Sequence, residues 1–538
     1  MNKFRELINS YKFQILSLFA LLVLVFAVYH QCTSFGFVDM DDDTLIANKI
    51  GYMDSLSKAK DIFTNPVFDT STDKFYRPIL NFSYLIDTII SGGDAGFYHY
   101  VNVLIHAADA FLVLLALGML GYSKKVSLII SVIFAVHPAL VSAVAWLPGR
   151  NDTLLTFFTL LSFMFFIQHL KTHKNFYLFL SSFMFLAALF TKETAVVIPI
   201  VFLLYAVLHY HKAGRNAYLK MLIFAAISII FYSAARYYAL SGTTSTLHMR
   251  ELIISFLSSV KITFWYIGVL FLTEKVIIYP QFSAGSVKLI SGAVPLISLA
   301  ALCFILRKKI NFKAMLFGLA WFILFMFPTY VMPGNNFYTH RLHLPVFGFF
   351  IIIAETILPF VRAYPPSKKF FYALSIVTAA LFAAISINQS KFYKDAASFW
   401  FGAYEENPRS ARVNAGVARY FFSSGDMENA EKYTLAAVNF SQGRDIHRML
   451  TAAGTLYVIK GDTAKAERYF QQAIIKNGCA VNAYFGLSRL YASQNRKEDA
   501  RKTLEYGLEL MPNDKLLRKG LRLLDEKEEA FSSNISVN

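Results

Sequence analysis

FYALSIVTAALFAAISI, Phe371–Ile387, followed directly by NQSKFYKDAASFWFGAYEENP, Asn388–Pro408, is where the chain changes character. The first segment is an uncharged apolar run, and a helix needs about 20 mostly apolar residues to cross a bilayer. The second is mixed, and beyond it long apolar runs stop. Upstream they recur, from Ile15–Tyr29 through Val287–Leu306 and Ala314–Val331 to Pro345–Val361. The 538 residues are 56% hydrophobic, include 53 Phe, and are only 16% charged, the composition of a membrane protein. The expected fold is all-α: a polytopic membrane domain over 1–388 with about eleven spans, then a different domain over 389–538.

Basic loops set the expected orientation, because Lys and Arg stay cytoplasmic. They are the N-terminus, Lys124-Lys125, Lys171 with Lys174, Lys212 with Arg215, Arg307-Lys308-Lys309, and Arg362 with Lys368-Lys369. The alternation works if Leu252–Leu272 is re-entrant or interfacial rather than crossing. It places the N-terminus inside and the C-terminal domain outside. The first run follows Lys3, Arg5 and Lys12 but is long and lacks a small-x-small cleavage site, so it reads as an uncleaved anchor. The net charge of +17 resides largely in these loops, and no nucleic-acid partner is needed to explain it. Cys32, Cys303 and Cys479 make no disulfide framework.

Past Ile387 the spacing is that of tetratricopeptide repeats. Gly454, Tyr457, Ala466, Phe470 and Ala473 are followed one period later by Ser488, Tyr491, Ala500, Leu504, Gly507 and Pro512. Small residues let paired helices approach and aromatics fill the gaps. Asn414-Ala415-Gly416 through Ala437 makes an earlier repeat, and Ala396, Trp400, Ala403 and Pro408 fit a half repeat before it. Such α-solenoids bind peptides or proteins in a concave groove.

The outward loops hold the unusual polar residues. Phe37-Val38-Asp39-Met40-Asp41-Asp42-Asp43 puts four carboxylates within five residues beside an apolar span. Cations face them from other loops: Arg77, Arg150, Lys192 and Arg341. Ionisable groups near the membrane are costly and point to function. The chemistry that suits them is transfer from a phosphorylated lipid. Asp41 or Asp42 would take a proton from an acceptor hydroxyl, and the cations would grip a phosphate leaving group, Arg by its bidentate fork. The plainer reading of each cation is a snorkelling residue or a partner of loop carboxylates, and of Asp39 and Asp43 a solvated loop. Asp39 and Asp41 are also open to a divalent metal; no cofactor is otherwise required. On the second span Asn102, His106 and Asp109 share a helical face, which interhelical hydrogen bonding explains more simply than catalysis.

Taken in order, these motifs resemble the transmembrane and tetratricopeptide-containing protein O-mannosyltransferases and their bacterial relatives, of the GT-C glycosyltransferase fold. The resemblance runs from Phe37 to the last repeat. It rests on the Asp41-Asp42 pair, Tyr76-Arg77-Pro78, Asn102 with His106, His137-Pro138 through Trp146, Arg150 and Asp152, Thr191-Lys192-Glu193, and Arg341 to Pro345. Ser142 stands near where family members commonly carry an acid, and His340 where they often carry Asp. The resemblance implies Asp41 and Asp42 as the catalytic pair. It implies Arg77, His137, Arg150, Lys192 and Arg341 around a polyprenyl-phosphate sugar, with Asp39, His106, Asp152 and Glu193 supporting them. It further implies a mannose-like sugar and a protein Ser/Thr acceptor brought by the repeats. The location would be the bacterial inner membrane with a periplasmic active site, or the endoplasmic reticulum with a lumenal one. A non-catalytic repeat scaffold and transfer to a lipid or glycan are the alternatives. A transporter would call for inverted repeats or broken helices, which the sequence does not display.

Overall fold

The computed structural model describes residues 2–68, 75–210, 215–241, 249–272, 292–331, 337–363 and 367–526. All regular elements among them are helical. They fall into two compact units, one built from Met1–Phe68, Phe75–Leu240 and Leu247–Ser398, the second holding the chain from Phe399 onward. Lys212 and residues 287–291 of the run expected at Val287–Leu306 lie outside the described residues.

In the first unit, eight helices among the described residues are long and apolar enough to cross a bilayer. The pair Lys124–Val136 and Pro138–Ala145, bent by 53°, counts as a ninth if it is one span. Asn175–Thr191, Glu193–His209 and Ala293–Leu306 are shorter apolar helices. This is the polytopic helical domain that the apolar runs indicate. Leu252–Leu272 overlaps a 23-residue helical stretch, Met249–Phe271, that meets the length and hydropathy of a span. Its Trp265, Tyr266 and Leu270 are buried, while Arg250 and Lys261 stay exposed. Charge at two positions suggested a surface segment, but apolar residues between them are enough for burial along the rest.

Close helix approach fixes one end of the site. Helices Phe312–Val331 and Pro345–Ala363 meet at Gly318 and Gly348. A Cβ on Gly318 would lie 2.7 Å from the Gly348 carbonyl oxygen, and one on Gly348 2.4 Å from that of Gly318. Only glycine allows this approach. Trp321 Nε1 then donates to the Leu344 carbonyl at 3.0 Å, tying down the loop that enters the second helix.

The second unit is a stack of helices from Ala396–Glu406 to Lys515–Glu526. Successive repeats are latched alike. Tyr457 Oη donates to Glu431 at 2.6 Å and Lys460 pairs with the same carboxylate. In the next repeat Tyr491 Oη donates to Glu467 at 2.8 Å, and Arg496 lies 3.3 Å from it. Asp426 and Asp462 cap helix starts by accepting the Asn429 and Lys465 N–H groups, each at 3.0 Å.

Candidate functional site

The acidic loop is built around Asp42. Asp39 adopts φ +54°, a left-handed conformation that Asp tolerates better than most residues. Beyond this reversal the Asp42 carboxylate accepts the Val38 N–H at 2.6 Å and the Met40 N–H at 2.9 Å. Asp42 is 1% exposed. Burial pushes its carboxyl up to about 6, against the pull of those backbone donors. The loop base is held from outside as well: Gly36 N–H donates to the Lys394 carbonyl at 2.8 Å, and His99 Nε2 lies 3.2 Å from the Gly36 carbonyl. Asp41 and Asp43 are partly exposed on the short helix Asp41–Leu45. That helix packs against the turn Leu147–Gly149, directly before Arg150 and Asp152.

A charged cluster forms where three loops, bearing Arg77, Lys192 with Glu193, and Arg341, meet the helices that carry Asp152 and Arg236. Lys192 Nζ is 2.7 Å from both Asp152 oxygens and 2.9 Å from Asn151 Oδ1. Arg77 donates through Nε to Glu193 at 3.0 Å, with a second nitrogen 2.9 Å away. Arg236 approaches the same carboxylate at 3.4 Å. Burial, then the positive charges of Arg77 and Arg341, push Lys192 down to about 8, against the pull of Asp152. Burial, with Lys192, Arg341 and Arg77 adding to it, holds His340 well below its ordinary value, so it is neutral at pH 7. Among the described residues of this group, four cations, Arg77, Lys192, Arg236 and Arg341, face two carboxylates, Asp152 and Glu193. His340 stacks on Tyr338 with ring centroids 5.3 Å apart and meets Trp146 at 5.2 Å.

Two residues expected at a donor phosphate are engaged within the protein. Arg150 is fully buried. It pairs with Asp87 and donates to Asn102 Oδ1 at 2.6 Å, the Tyr98 carbonyl at 2.8 Å and Ser83 Oγ at 3.3 Å. Its guanidinium lies 4.6 Å from the Tyr84 ring centroid. The fork is spent inside the protein, which leaves no face for a phosphate. His137 is likewise engaged: Nδ1 accepts the Ala139 N–H at 3.2 Å and Nε2 lies 3.3 Å from the Leu270 carbonyl. It caps the bend between two helices.

The second-span face makes interhelical bonds. Asn102 Nδ2 reaches the Val144, Trp146 and Leu147 carbonyls at 3.3–3.4 Å. His106 Nδ1 is 3.0 Å from His343 Nε2, so this face is tied to the Arg341 loop. Among the described residues no group of three or more His, Cys, Asp or Glu is arranged to hold a metal ion. Asp87, Arg236 and His343 were not singled out from sequence. The first two are ionisable residues inside otherwise apolar runs, a signal that could have found them.

Known proteins resemble this chain on both units. A tetratricopeptide-repeat family model matches residues 457–524. Protein O-mannosyl-transferase Tmtc1 of Drosophila melanogaster is 31% identical over 32% of this chain and 20% of its own length. Protein O-mannosyl-transferase TMTC4 of Mus musculus is 29% identical over 32% of this chain and 24% of its own. Protein O-mannosyl-transferase F38B6.6 of Caenorhabditis elegans is 22% identical over 77% of this chain and 61% of its own. The chain thus spans less than two thirds of each of these relatives. The crystal structure of yeast Tom70 aligns with a TM-score of 0.25 and 13% identity over 76% of this chain and 92% of its own, too loosely to carry an argument. With its apolar helical unit and its repeats, the chain is similar to the transmembrane and tetratricopeptide-repeat proteins that the motifs indicate.

Proposed function

We propose that the chain is an integral-membrane glycosyltransferase that moves a mannose-like sugar from a polyprenyl-phosphate donor to a protein Ser or Thr hydroxyl. The observation that carries this reading is the cation surplus, among the described residues, where Arg77, Lys192, Arg236 and Arg341 converge from separate segments around Asp152 and Glu193. Such a surplus suits an anion, and Arg offers a phosphate two parallel donors. In the reaction, the acceptor hydroxyl oxygen bonds to the anomeric carbon and the carbon–oxygen bond to phosphate breaks. The bonding pair leaves with the polyprenyl phosphate, whose new charge the cations stabilise. The hydroxyl proton passes to Asp41. Asp42, with both oxygens held by backbone N–H groups, shapes the loop. The repeats recruit the acceptor, and the site faces the periplasm or, in a eukaryote, the lumen. A repeat scaffold without catalysis draws on the mutual pairing of these charges; the convergence of four cations from separate segments speaks against it. Incubating the purified protein with a panel of radiolabelled polyprenyl-phosphate sugars and an acceptor mixture tests the reading, and no labelled product from any donor overturns it.

A further inference from the structure

Beneath Arg341 lies a buried polar cluster that the proposed reaction does not use. His106 and Asp109 on helix Ala95–Met119, Thr156 on helix Arg150–Thr172 and His343 are all fully buried. Phe134 packs on both imidazoles, and the Tyr29 ring meets His106 edge-on.

Hydrogen-bond counting narrows the protons to two arrangements. His106 Nε2 is 3.0 Å from the Ala135 carbonyl, which only accepts, so Nε2 carries a proton. A second charged ring so deep would be too costly, so His106 Nδ1 is a lone pair and takes the proton of His343 Nε2. On the far side, His343 Nδ1 is 2.9 Å from the Thr156 hydroxyl, which also lies 2.8 Å from the Asp152 carbonyl. Thr156 has one proton for two neighbours. If it donates to the carbonyl, His343 Nδ1 must carry a proton too, and the ring is an imidazolium. Its counter-charge is Asp109, whose Oδ2 lies 3.9 Å from that nitrogen and whose two oxygens have no hydrogen-bond partner among the described residues. If Thr156 turns to His343, the ring is neutral and the proton belongs on Asp109, since a lone buried carboxylate is prohibitive. In both arrangements His343 and Asp109 share one proton and carry no net charge.

His343 is two residues from Arg341, in a loop pinned at its other points by Ser142 Oγ to Thr339 Oγ1, 2.8 Å, and by Trp321 to the Leu344 carbonyl. We infer that His343 is a positioning residue for Arg341: the His106–His343–Asp109 cluster clamps the turn Thr339–Leu342 and sets where the Arg341 guanidinium meets the donor phosphate. This rests on the donor site proposed above.

A double-mutant cycle on the full-length protein, with polyprenyl-phosphate-linked mannose as the donor, tests it. His343→Ala should raise the donor KM roughly tenfold with kcat and acceptor KM unchanged. His343→Gln, which keeps a donor toward His106, should restore part of that loss, and it stands in if the Ala variant does not fold. In an Arg341→Ala background either His343 substitution should add nothing further. Equal losses in both backgrounds, or a fall in kcat alone, would make His343 structural only and overturn the inference while leaving the donor site intact. An unchanged donor KM in Arg341→Ala alone would remove the donor reading, and the inference with it.

Discussion

The Asp42 carboxylate accepts the Val38 and Met40 N–H groups with its two oxygens, so the two adjacent acids Asp41 and Asp42 are not equivalent. One shapes the loop and the other is presented by it. Asp41→Asn should lower kcat by about 10²–10⁴-fold, the usual cost of a lost general base, with thermal stability unchanged. Asp42→Asn turns an amide N–H toward a backbone N–H and should cost about 1–3 kcal/mol of stability. Turnover and thermal unfolding of the two purified variants separate them, and wild-type turnover in Asp41→Asn would place the base elsewhere.

The pH dependence follows from two groups outside the spans. Lys192 is charged below about 8 and loses its charge as pH rises through that value, so kcat/KM for the donor should fall on the alkaline side. Lys192→Arg stays charged and should remove that limb. Asp42 takes a proton as pH falls through about 6, losing an acceptor for its loop, so kcat/KM should fall on the acid side as well. A donor profile flat from pH 5 to 9 contradicts both assignments.

Arg150 and Arg341 should fail differently. Arg150→Met leaves Asp87 buried without its partner and should cost about 3–5 kcal/mol, read as a lowered unfolding midpoint in detergent, with donor KM unchanged in the protein that folds. Arg341→Lys keeps the charge and loses the fork; donor KM should rise and the unfolding midpoint stay. Equal stability losses in both would assign Arg341 a structural role too.

Both the helical membrane unit and the repeats could be read from sequence, because hydropathy and a fixed repeat period are local signals. The spacing of Gly454 and Phe470 is a case in point: the structure puts a Cβ on Gly454 only 2.7 Å from the Phe470 ring. The candidate site was legible only as a set of residue types. Arg77, Lys192 and Arg341 stand on loops whose convergence no local pattern encodes. Arg150 looked like their equal because a buried ion pair with Asp87 leaves the same trace as a ligand-binding arginine. Nor could sequence separate Asp41 from Asp42, since the difference lies in which carboxylate the turn at Asp39 folds back upon.

Sidedness can be read with the cysteines already present. Cys479 is exposed on the repeats, while Cys32 is buried and Cys303 partly so. An impermeant maleimide should label Cys479 in intact right-side-out membranes, and equally a Cys placed at Tyr52, which is 44% exposed on the first loop. Labelling of either only after permeabilisation reverses the proposed orientation.

The recruiting role of the repeats is tested by ending the chain after Ser398. The truncated protein should still glycosylate a short Ser/Thr peptide and lose most activity on folded protein acceptors. Full activity on both would leave the repeats as a docking module for another partner.

The most direct measurement is transfer itself: wild-type and Asp41→Asn proteins, purified side by side, given radiolabelled polyprenyl-phosphate mannose and a Ser/Thr acceptor. The wild type should yield labelled acceptor and free polyprenyl phosphate in equal amounts, and the variant neither at a comparable rate. Label on the acceptor at the same rate with both proteins, or with neither, contradicts an enzyme built on this acidic loop.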